Sequence, residues 1–448
     1  FYFHIIGTYH INKYICPVKS IYNLTHILTM KKSISLLLLS LLMIAPGCQK
    51  TKEVVNEYNI VPKPNQILPQ EGRFELNSKV CLVVPSDAPE VKSIADSLAG
   101  QLKLTAGISL KEAESADGKS AICFVVQEGM PKEGYKLSVT PSLITLTASQ
   151  PNGFFYGVQT LYQLLPPAVY GNQLDKKANW SVPAVEIEDS PRFVHRGLML
   201  DVCRHYVPID YIYKFIDLLA MNKMNVFHWH LTDDQGWRIY IEKYPQLASK
   251  DHYTKEELKD IIKYAEMRNV TVIPEIDIPG HTCAMLSAFP EFKCEHKSAT
   301  PIELGKSVDM MLCASVGKVY TVIDDIIKET SKIFPAPYIH LGGDEAAIKY
   351  NWAECPRCQK LMAELKYEDP SQLMIPFFSK VLKSVKEAGK KAILWCELDN
   401  IYMPANDYLF PYDPEVTLVS WRGGLTPKCL ELTRRHGNPV IMAPGEYA

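Results

Sequence analysis

A repeated alternation of strand-like and helix-like segments, beginning near residue 192, restricts the fold more than any other feature of the sequence. The predicted strands are apolar runs at Gly197–Asp201, Asn225–His230, Val270–Ile276, Tyr338–Leu341, Lys391–Trp395, Val416–Trp421 and Pro439–Met442. Apolar residues at helical spacing lie between them, near 209–222, 254–268, 316–333, 371–388 and 426–435. Strands and helices in alternation form parallel βαβ units. Seven such strands approach the eight of a (β/α)8 TIM barrel, which we predict for residues 190–448.

The residues before the barrel predict a separate, small α+β domain at 58–187. Its β-rich runs are Val80–Val84, Ala121–Val126 and Leu143–Thr147, and its helical spacing falls at Ala88–Leu104 and Phe154–Leu165. This segment contains no grouping of catalytic residue types. For the barrel segment, a doubly wound open sheet is the alternative, but no Gly-x-Gly-x-x-Gly phosphate loop follows its first strand.

The net charge of -2, without a long basic run, gives no electrostatic basis for nucleic-acid binding.

Polar and aromatic side chains gather at the C-terminal ends of the predicted barrel strands, where TIM-barrel enzymes carry their active sites. In chain order they are Asp201 and Arg204; His228, His230, Asp233 and Asp234; Glu275, Asp277 and His281; Asp344 and Glu345; Trp395 and Glu397; Trp421 and Arg422. Any one of these groups could be structural, as an ion pair or a satisfied core histidine, but their repetition favours a site. Indole rings stack on the apolar faces of sugars, and carboxylates bind hydroxyls, so the combination indicates a carbohydrate site.

The segment Tyr338 to Glu345 places two adjacent carboxylates directly after a strand. Gly342 and Gly343 allow a tight turn there, and Asp344 and Glu345 follow. Adjacent residues on an extended backbone point in different directions. These two acids therefore cannot be the opposed carboxylates of an ordinary glycosidase, and we expect them to contact different parts of one substrate.

In four segments the chain resembles the family 20 glycoside hydrolases, the β-N-acetylhexosaminidases. The segments are His195-Arg-Gly-Leu-Met-Leu-Asp201, Phe227-His-Trp-His-Leu-Thr-Asp-Asp-Gln-Gly-Trp-Arg238, Pro274-Glu-Ile-Asp-Ile-Pro-Gly-His281 and His340-Leu-Gly-Gly-Asp-Glu345. The residues from Ile60 also resemble the small domain that precedes the barrel in this family. The resemblance implies exo-acting removal of terminal N-acetylglucosamine or N-acetylgalactosamine with retention. The attacking group would be the substrate's own 2-acetamido oxygen, through an oxazolinium intermediate, which is an exception to the two-carboxylate rule.

The same resemblance implies roles for individual residues. Glu345 would be the general acid and then the general base, and Asp344 would orient the acetamido N–H and stabilise developing positive charge. Arg196 would hold ring hydroxyls. The other implied contacts are Trp395 and Trp421 as walls, and Asp233 and His281 beside Glu345, with Asp234 as the alternative to Asp233. Supporting positions would be Asp234, Glu275, Asp277, His340 and Glu397. The implied partners are N-acetylhexosamine glycans, with no cofactor and no metal.

The chain departs from the family pattern at its end. It stops at Ala448, just past the seventh predicted strand. The family continues with a Tyr-x-Asp segment and an eighth strand that brings another Trp and Glu. We therefore expect this sequence to be a fragment of a longer protein, and an open barrel with exposed strand edges to fold poorly or to lack activity.

The N-terminal region predicts an export signal. We interpret residues 1–29 as an upstream read-through, and translation as starting at Met30. Residues 30–48 combine two lysines, an apolar run and small residues before Cys48, which resembles a bacterial lipoprotein signal with Cys48 as the lipidated residue. The predicted location is the periplasm or the outer membrane, with membrane contact only through the lipid. The basic residues after Cys48 favour the periplasmic side.

One close cysteine pair, Cys355-Pro-Arg-Cys358, stands out among the twelve cysteines. It could be a redox motif or half of a zinc site, but no second pair at zinc-finger spacing accompanies it. The sequence therefore favours a local disulfide or two free thiols.

Two other classes of function remain open on the sequence. A metal-dependent barrel hydrolase would use His228 and His230 as a His-x-His ligand pair, although Asp344 and Glu345 then have no role. Insensitivity to chelators would count against it. A non-catalytic glycan-binding lipoprotein would keep the aromatic site, and Glu345→Gln would then change neither binding nor any observed turnover. The sequence does not indicate the natural glycan, the preference between the two sugars or the oligomeric state.

Overall fold

The computed structural model describes residues 58–295, 310–396, 414–422, 424 and 426–443. The predictions for residues 1–29 and 30–48, with Cys48, and for Glu397 therefore lie outside the described residues. Within those ranges, none of the helices combines the length and the apolar composition needed to cross a membrane.

The N-terminal domain is a mixed sheet with two long helices packed against it. Its elements are β1 (Gln66–Glu75), β2 (Cys81–Val83), α1 (Pro89–Ala106), β3 (Lys111–Glu112), β4 (Ala121–Val126), β5 (Tyr135–Val139), β6 (Leu143–Ala148), α2 (Pro151–Leu164) and β7 (Ser181–Asp189). The strand order is β1-β7-β5-β6-β4-β2-β3. In β6 buried and half-buried residues alternate, as expected for a strand with one face on the core. The sequence did not predict β1, β3, β5 and β7, which contain charged residues and, in β1 and β7, also a proline.

The second domain is a curled parallel sheet with helices on its outer side. Its elements are β8 (Gly197–Asp201), α3 (Ile209–Met221), β9 (Val226–His230), β10 (Thr232–Asp233), β11 (Gly236–Trp237), α4 (Lys255–Glu266), β12 (Thr271–Glu275), α5 (Cys283–Ala288), α6 (Gly317–Ile333), β13 (Tyr338–His340), α7 (Pro356–Leu365), α8 (Met374–Glu387), β14 (Lys391–Trp395), β15 (Thr417–Ser420), α9 (Thr426–His436) and β16 (Val440–Met442). The sheet order β16-β15-β14-β13-β12-β9-β8 follows the chain, and every pair in it is parallel. The predicted barrel of about seven strands is confirmed.

The core of this domain lies between the sheet and its outer helices. Helix α4 begins at a capping box: Thr254 Oγ1 accepts from the Glu257 amide, and the Glu257 carboxylate accepts from the Thr254 amide at 2.8 Å. The helix then buries Leu258, Ile261 and Ala265 against the sheet side. Packing of this apolar stripe fixes the outer helix and leaves the carboxyl ends of the strands free for other side chains.

Two cations at the amino ends of β8 and β9 join the domains. The Lys223 ammonium donates to the Tyr135 hydroxyl at 2.8 Å and to Asp189 Oδ2 at 3.1 Å. The Arg196 guanidinium pairs with Glu133 at 2.9 Å and also donates to the backbone carbonyl oxygens of Phe193 and Lys223. Both side chains are largely buried, with 18% of Arg196 and 8% of Lys223 exposed. These ion pairs connect strands of the first domain to the base of the second.

The structure does not place Arg196 with the other residues predicted to bind the substrate. Arg196 directly precedes the first residue of β8, so it lies at the amino end of the strand, opposite to the end where the carboxylates gather. Its guanidinium is used in the contact with the N-terminal domain.

Candidate active site

Glu275, the last residue of β12, is the centre of a buried cluster. Its Oε2 lies 2.6 Å from His230 Nδ1 and 2.8 Å from His228 Nε2. Its Oε1 accepts from the Trp395 indole at 2.7 Å and lies 3.2 Å from His340 Nδ1. The sheet register explains the cluster, because Glu275 pairs with His230 on one side and with His340 on the other. One fully buried carboxylate therefore orients four aromatic side chains.

Charges alternate outward from Glu275. Burial alone would raise its pKa, but the positive charge of His230 holds the pKa of Glu275 well below its usual value. Burial opposes the charge on His230, yet Glu275 and Asp233 raise the pKa of His230 well above its usual value. Asp233 lies 2.9 Å from His230 Nε2, and although burial opposes its charge, this contact and that with His281 lower its pKa. The cluster thus holds a buried imidazolium between two carboxylates.

Arg204 extends this alternation to the surface of the site. Its guanidinium lies 2.8 Å from Asp233 Oδ2 and 2.9 Å from Asp201 Oδ2, and 41% of its side chain is exposed. Arg204 follows the carboxyl end of β8, so it stands at the end of the sheet where Arg196 had been predicted to act. The Arg204 side chain is therefore anchored to the buried acids, and its exposed part is available to a ligand.

His281 links the buried acids to the Asp344–Glu345 pair. Its Nδ1 lies 3.4 Å from Asp233 Oδ1 and 3.8 Å from Asp234 Oδ2. Its Nε2 lies 3.7 Å from Asp344 Oδ2 and 3.6 Å from Glu345 Oε2. Burial opposes its charge, but the surrounding carboxylates raise the pKa of His281 well above its usual value. The imidazolium therefore faces acids on both of its nitrogens.

The turn after β13 depends on two glycines with positive φ. Gly342 has φ +65° and Gly343 has φ +97°. A Cβ added to Gly342 would lie 1.7 Å from Asp277 Oδ1, while the Gly343 amide donates to the same oxygen at 3.2 Å. Burial, with the nearby charge of Asp344, raises the pKa of Asp277 well above its usual value. Asp277 therefore packs as a buried group against the turn that carries the two acids.

Asp344 is a largely buried carboxylate with one unused oxygen. Its Oδ1 is enclosed, and no hydrogen-bond donor within the described ranges reaches it. Burial raises its pKa, which the charge of His281 partly offsets. A buried acceptor without a donor costs free energy that a bound N–H group would recover.

Glu345 lies beside Asp344 but faces the open side of the site. It has φ +44°, and 38% of its side chain is exposed. Its Oε1 accepts from the Arg422 guanidinium at 2.7 Å. The Arg422 guanidinium also lies 3.9 Å from the centroid of the Trp421 ring. Trp421 and Trp395 meet edge to face, with ring centroids 6.2 Å apart, and form an aromatic wall.

The structure brings together most of the residues that the sequence singled out. Those found in one contiguous cluster are Asp233, Asp234, Glu275, Asp277, His281, His340, Asp344, Glu345, Trp395 and Trp421. Arg196 does not belong to it, and Glu397 lies outside the described residues. The sequence had placed Arg204 and Arg422 at strand ends without giving them a role.

The His-x-His pair that suggested metal ligation is directed at a carboxylate instead. His228 and His230 both approach Glu275 Oε2, and the His228 ring stacks on His340 with centroids 4.5 Å apart. Glu275, His228 and His340 are close enough together to hold a cation. Their mutual contacts also account for the positions of all three without one.

Comparison with known proteins gives matches over both domains. The family model described as glycosyl hydrolase family 20, catalytic domain, matches residues 193–448, and the model of domain 2 of the same family matches residues 57–190. A β-hexosaminidase of Porphyromonas gingivalis is 37% identical over 429 residues, which is 90% of this chain and 53% of that protein. A β-hexosaminidase of Vibrio furnissii is 32% identical over 412 residues, or 87% of this chain and 63% of that protein. The chain thus spans between half and two thirds of the length of these relatives.

Solved structures give the same result for the fold. A family 20 β-N-acetylhexosaminidase from Streptomyces coelicolor superimposes with a TM-score of 0.73 at 30% identity, covering 87% of this chain and 76% of that one. A β-N-acetylhexosaminidase from Bacteroides fragilis gives a TM-score of 0.70 at 32% identity, covering 85% of this chain and 74% of that one.

Proposed function

The chain belongs to glycosyl hydrolase family 20, and on that basis we propose that it carries the catalytic site of an exo-acting β-N-acetylhexosaminidase. The substrates are glycans with a terminal non-reducing N-acetylglucosamine or N-acetylgalactosamine, which the enzyme releases with retention of configuration. The observation that carries this proposal is the enclosed Asp344 Oδ1, an acceptor that no donor reaches within the described residues. The N–H of a 2-acetamido group is a donor of the required type.

The first step uses the substrate's own acetamido group as the nucleophile. Asp344 accepts the acetamido N–H and so turns the carbonyl oxygen of that group towards the anomeric carbon. That oxygen forms a bond to the anomeric carbon while the bond to the leaving oxygen breaks, giving an oxazolinium. The negative charge on Asp344 stabilises the positive charge that develops on the ring. Burial raises the pKa of Asp344 above its usual value, and the charge of His281 partly offsets this rise.

Glu345 moves the proton in both steps. It donates to the leaving glycosidic oxygen and then, as a carboxylate, accepts a proton from the water that opens the oxazolinium. Its exposed position is suited to a leaving group that extends towards solvent. His281 Nε2 lies 3.6 Å from Glu345 Oε2, so its positive charge stands beside the carboxylate that remains after proton transfer. The Arg422 ion pair has to open when Glu345 carries the proton.

The terminal sugar is held by a cation and an aromatic wall. The exposed N–H groups of Arg204 are donors for ring hydroxyls, and Asp233 and Asp201 fix the orientation of its guanidinium. Trp395 and Trp421 provide the apolar surface on which the sugar and its acetamido methyl group pack. Glu275 holds the Trp395 ring in place through the indole N–H.

Turnover of an aryl N-acetyl-β-glucosaminide tests the proposal, using the protein encoded by the whole gene through to its stop codon. Release of the phenol, blocked by a thiazoline mimic of the oxazolinium, would support both the activity and the substrate-assisted route. A folded protein that binds the sugar without turning it over would favour the glycan-binding alternative. Turnover that requires a divalent metal but does not require Asp344 and Glu345 would favour the metal-dependent hydrolase.

Arg204→Ala and Arg196→Ala separate the two arginines that flank β8. We expect Arg204→Ala to lower kcat/KM by about 10- to 100-fold, because a hydrogen bond from a charged donor contributes about 1.5–3 kcal/mol. Arg196→Ala removes the ion pair with Glu133, so we expect a lower unfolding midpoint and little change in kcat/KM per folded molecule. Steady-state kinetics and urea unfolding of both variants provide the check. The reverse pattern would return the sugar-binding role to Arg196.

Export and lipidation of Cys48 complete the proposal. They are supported by the signal-like pattern of residues 30–48. A fatty-acid label fed to cells should be incorporated into the protein and be absent from Cys48→Ser, with the protein in the membrane fraction of an exporting bacterium. A label retained by Cys48→Ser, or a soluble unlabelled protein, would contradict the lipid anchor.

A further inference from the structure

Four cysteines from separate parts of the barrel sequence meet beside the active site. Cys294 follows α5, Cys313 precedes α6, and Cys355 and Cys358 lie at the start of α7. All four sulfur atoms lie within 4.8 Å of one another. The Cys313 sulfur is 3.5 Å from that of Cys358 and 3.9 Å from that of Cys355. Each residue is at most 2% exposed.

The separations between the sulfur atoms fit a shared metal better than a covalent bond. A disulfide joins two sulfurs at about 2.05 Å, and all four cysteines are free thiols in the structure. A tetrahedral zinc ion with Zn–S bonds of about 2.3 Å holds its sulfurs roughly 3.8 Å apart. The distances from the Cys313 sulfur to those of Cys358 and Cys355, 3.5 and 3.9 Å, lie on either side of that value.

The backbone around the cluster is arranged to stabilise thiolates. Cys355 is the N-cap of α7 and Cys358 lies in its first turn, where the helix dipole favours negative charge. The Cys313 sulfur lies 3.1 Å from the Ser315 hydroxyl. Metal-bound thiolates are commonly supported by such contacts.

We propose that Cys294, Cys313, Cys355 and Cys358 bind a structural zinc ion. Four thiolates with no nitrogen or oxygen ligand form the soft, closed donor set that zinc occupies in structural sites, where no coordination position is left for catalysis. The site is distinct from the catalytic cluster and does not depend on the proposed glycosidase activity. The Cys355–Cys358 pair is half of this site. The sequence had set a zinc site aside because its other two ligands come from a different loop.

The zinc joins the two loops that carry the catalytic residues. Cys294 and Cys313 belong to the connection between β12 and α6, which also carries His281. Cys355 and Cys358 close the loop after β13, which carries Asp344 and Glu345. A second link runs parallel to it, since the buried Trp352 indole donates to the Leu312 carbonyl at 2.8 Å. By joining the two loops, the ion fixes the distance between His281 on one loop and Asp344 and Glu345 on the other.

Metal analysis of the purified protein tests the site without any measurement of turnover. We expect one zinc ion per chain after dialysis against metal-free buffer, and its release when an organomercurial modifies the thiols. Cys358→Ser should lose the zinc. Cys123→Ser, which alters a buried cysteine of β4 in the other domain, should retain it. Retention of zinc by Cys358→Ser would overturn the proposal.

The unmodified protein provides a measurement that remains valid if Cys358→Ser does not fold. Protein produced with cobalt in place of zinc should show the intense absorption of a tetrahedral tetrathiolate centre. A metal-free protein whose mass shows two disulfides in place of four thiols would overturn the proposal. Iron in place of zinc, with the spectrum of an iron–thiolate centre, would also overturn it.

Discussion

Glu345→Gln is expected to reduce kcat by about 10²- to 10⁴-fold on a glycan substrate, the range that a positioned general acid contributes. The amide keeps the size of the side chain and its contact with Arg422 but cannot deliver a proton to the leaving oxygen. Because Glu345 is 38% exposed, we expect the fold to tolerate the change. Steady-state kinetics on a chitin disaccharide provide the measurement.

A comparison of two substrates with different leaving groups is the control for this prediction. An aryl leaving group with a low pKa needs little protonation, so the loss in the first step should be much smaller on a nitrophenyl glycoside than on the disaccharide. Glu354→Gln is the matched variant, since Glu354 is an exposed glutamate in the same loop after β13, and it should leave kcat unchanged. Equal losses on both substrates, or a loss in Glu354→Gln, would contradict the role of Glu345 as the acid.

Gly342→Ala is expected to abolish the folded site. The added methyl group would lie 1.7 Å from Asp277 Oδ1 and 2.8 Å from its Cα, so both a side chain and the backbone would have to move. Overpacking of this kind, added to an alanine at φ +65°, costs about 2–6 kcal/mol. This cost is a large fraction of the stability of an ordinary domain, which is about 5–15 kcal/mol.

Gly389→Ala is the matched control, because Gly389 has φ +72° and nothing within 4 Å of the added Cβ. It measures the cost of the left-handed backbone alone, about 1 kcal/mol. Urea unfolding of both variants should therefore show a far larger loss for Gly342→Ala, together with loss of activity. Similar unfolding midpoints would mean that the Asp277 side chain can move away and that the turn is not tightly packed.

The barrel strands could be predicted closely from the sequence because their pattern is simple. Parallel strands covered by helices form short apolar runs between turns. Lys391–Trp395 and Gly197–Asp201 have the predicted bounds, and the other five differ by no more than two residues at either end. The acids and tryptophans after these runs were likewise predictable, since every parallel strand ends at the same edge of the sheet.

The choice between Arg196 and Arg204 depended on strand direction. Both flank β8 and both are arginines next to family-like segments. Arg196 precedes the strand, however, and Arg204 follows it. Carboxyl ends carry the site, so the order along the chain already favoured Arg204. The resemblance to the family had assigned the sugar-binding role to Arg196, at the opposite end of the strand from the carboxylates.

The cysteine cluster shows what the sequence could not supply. Its spacing follows no zinc-finger pattern, because Cys294 and Cys313 are brought to Cys355 and Cys358 by the curl of the sheet and the antiparallel bridge of Lys293 with Leu312. Contacts between loops that follow different strands are set by tertiary packing. The local pattern of apolar and polar residues therefore does not predict these contacts.

The ion pairs at the base of the barrel limit how these domains can be recombined. A barrel transplanted onto a foreign N-terminal partner would bring Arg196 and Lys223 to a surface without Glu133 and Asp189. Each buried cation without its carboxylate partner would cost about 3–5 kcal/mol, which is a large part of the free energy of unfolding of a domain. A working chimera therefore needs Asp189 of β7 and Glu133 of the turn before β5, or equivalent acids, in its N-terminal domain. The two domains depend on each other through these ion pairs as well as through the linker.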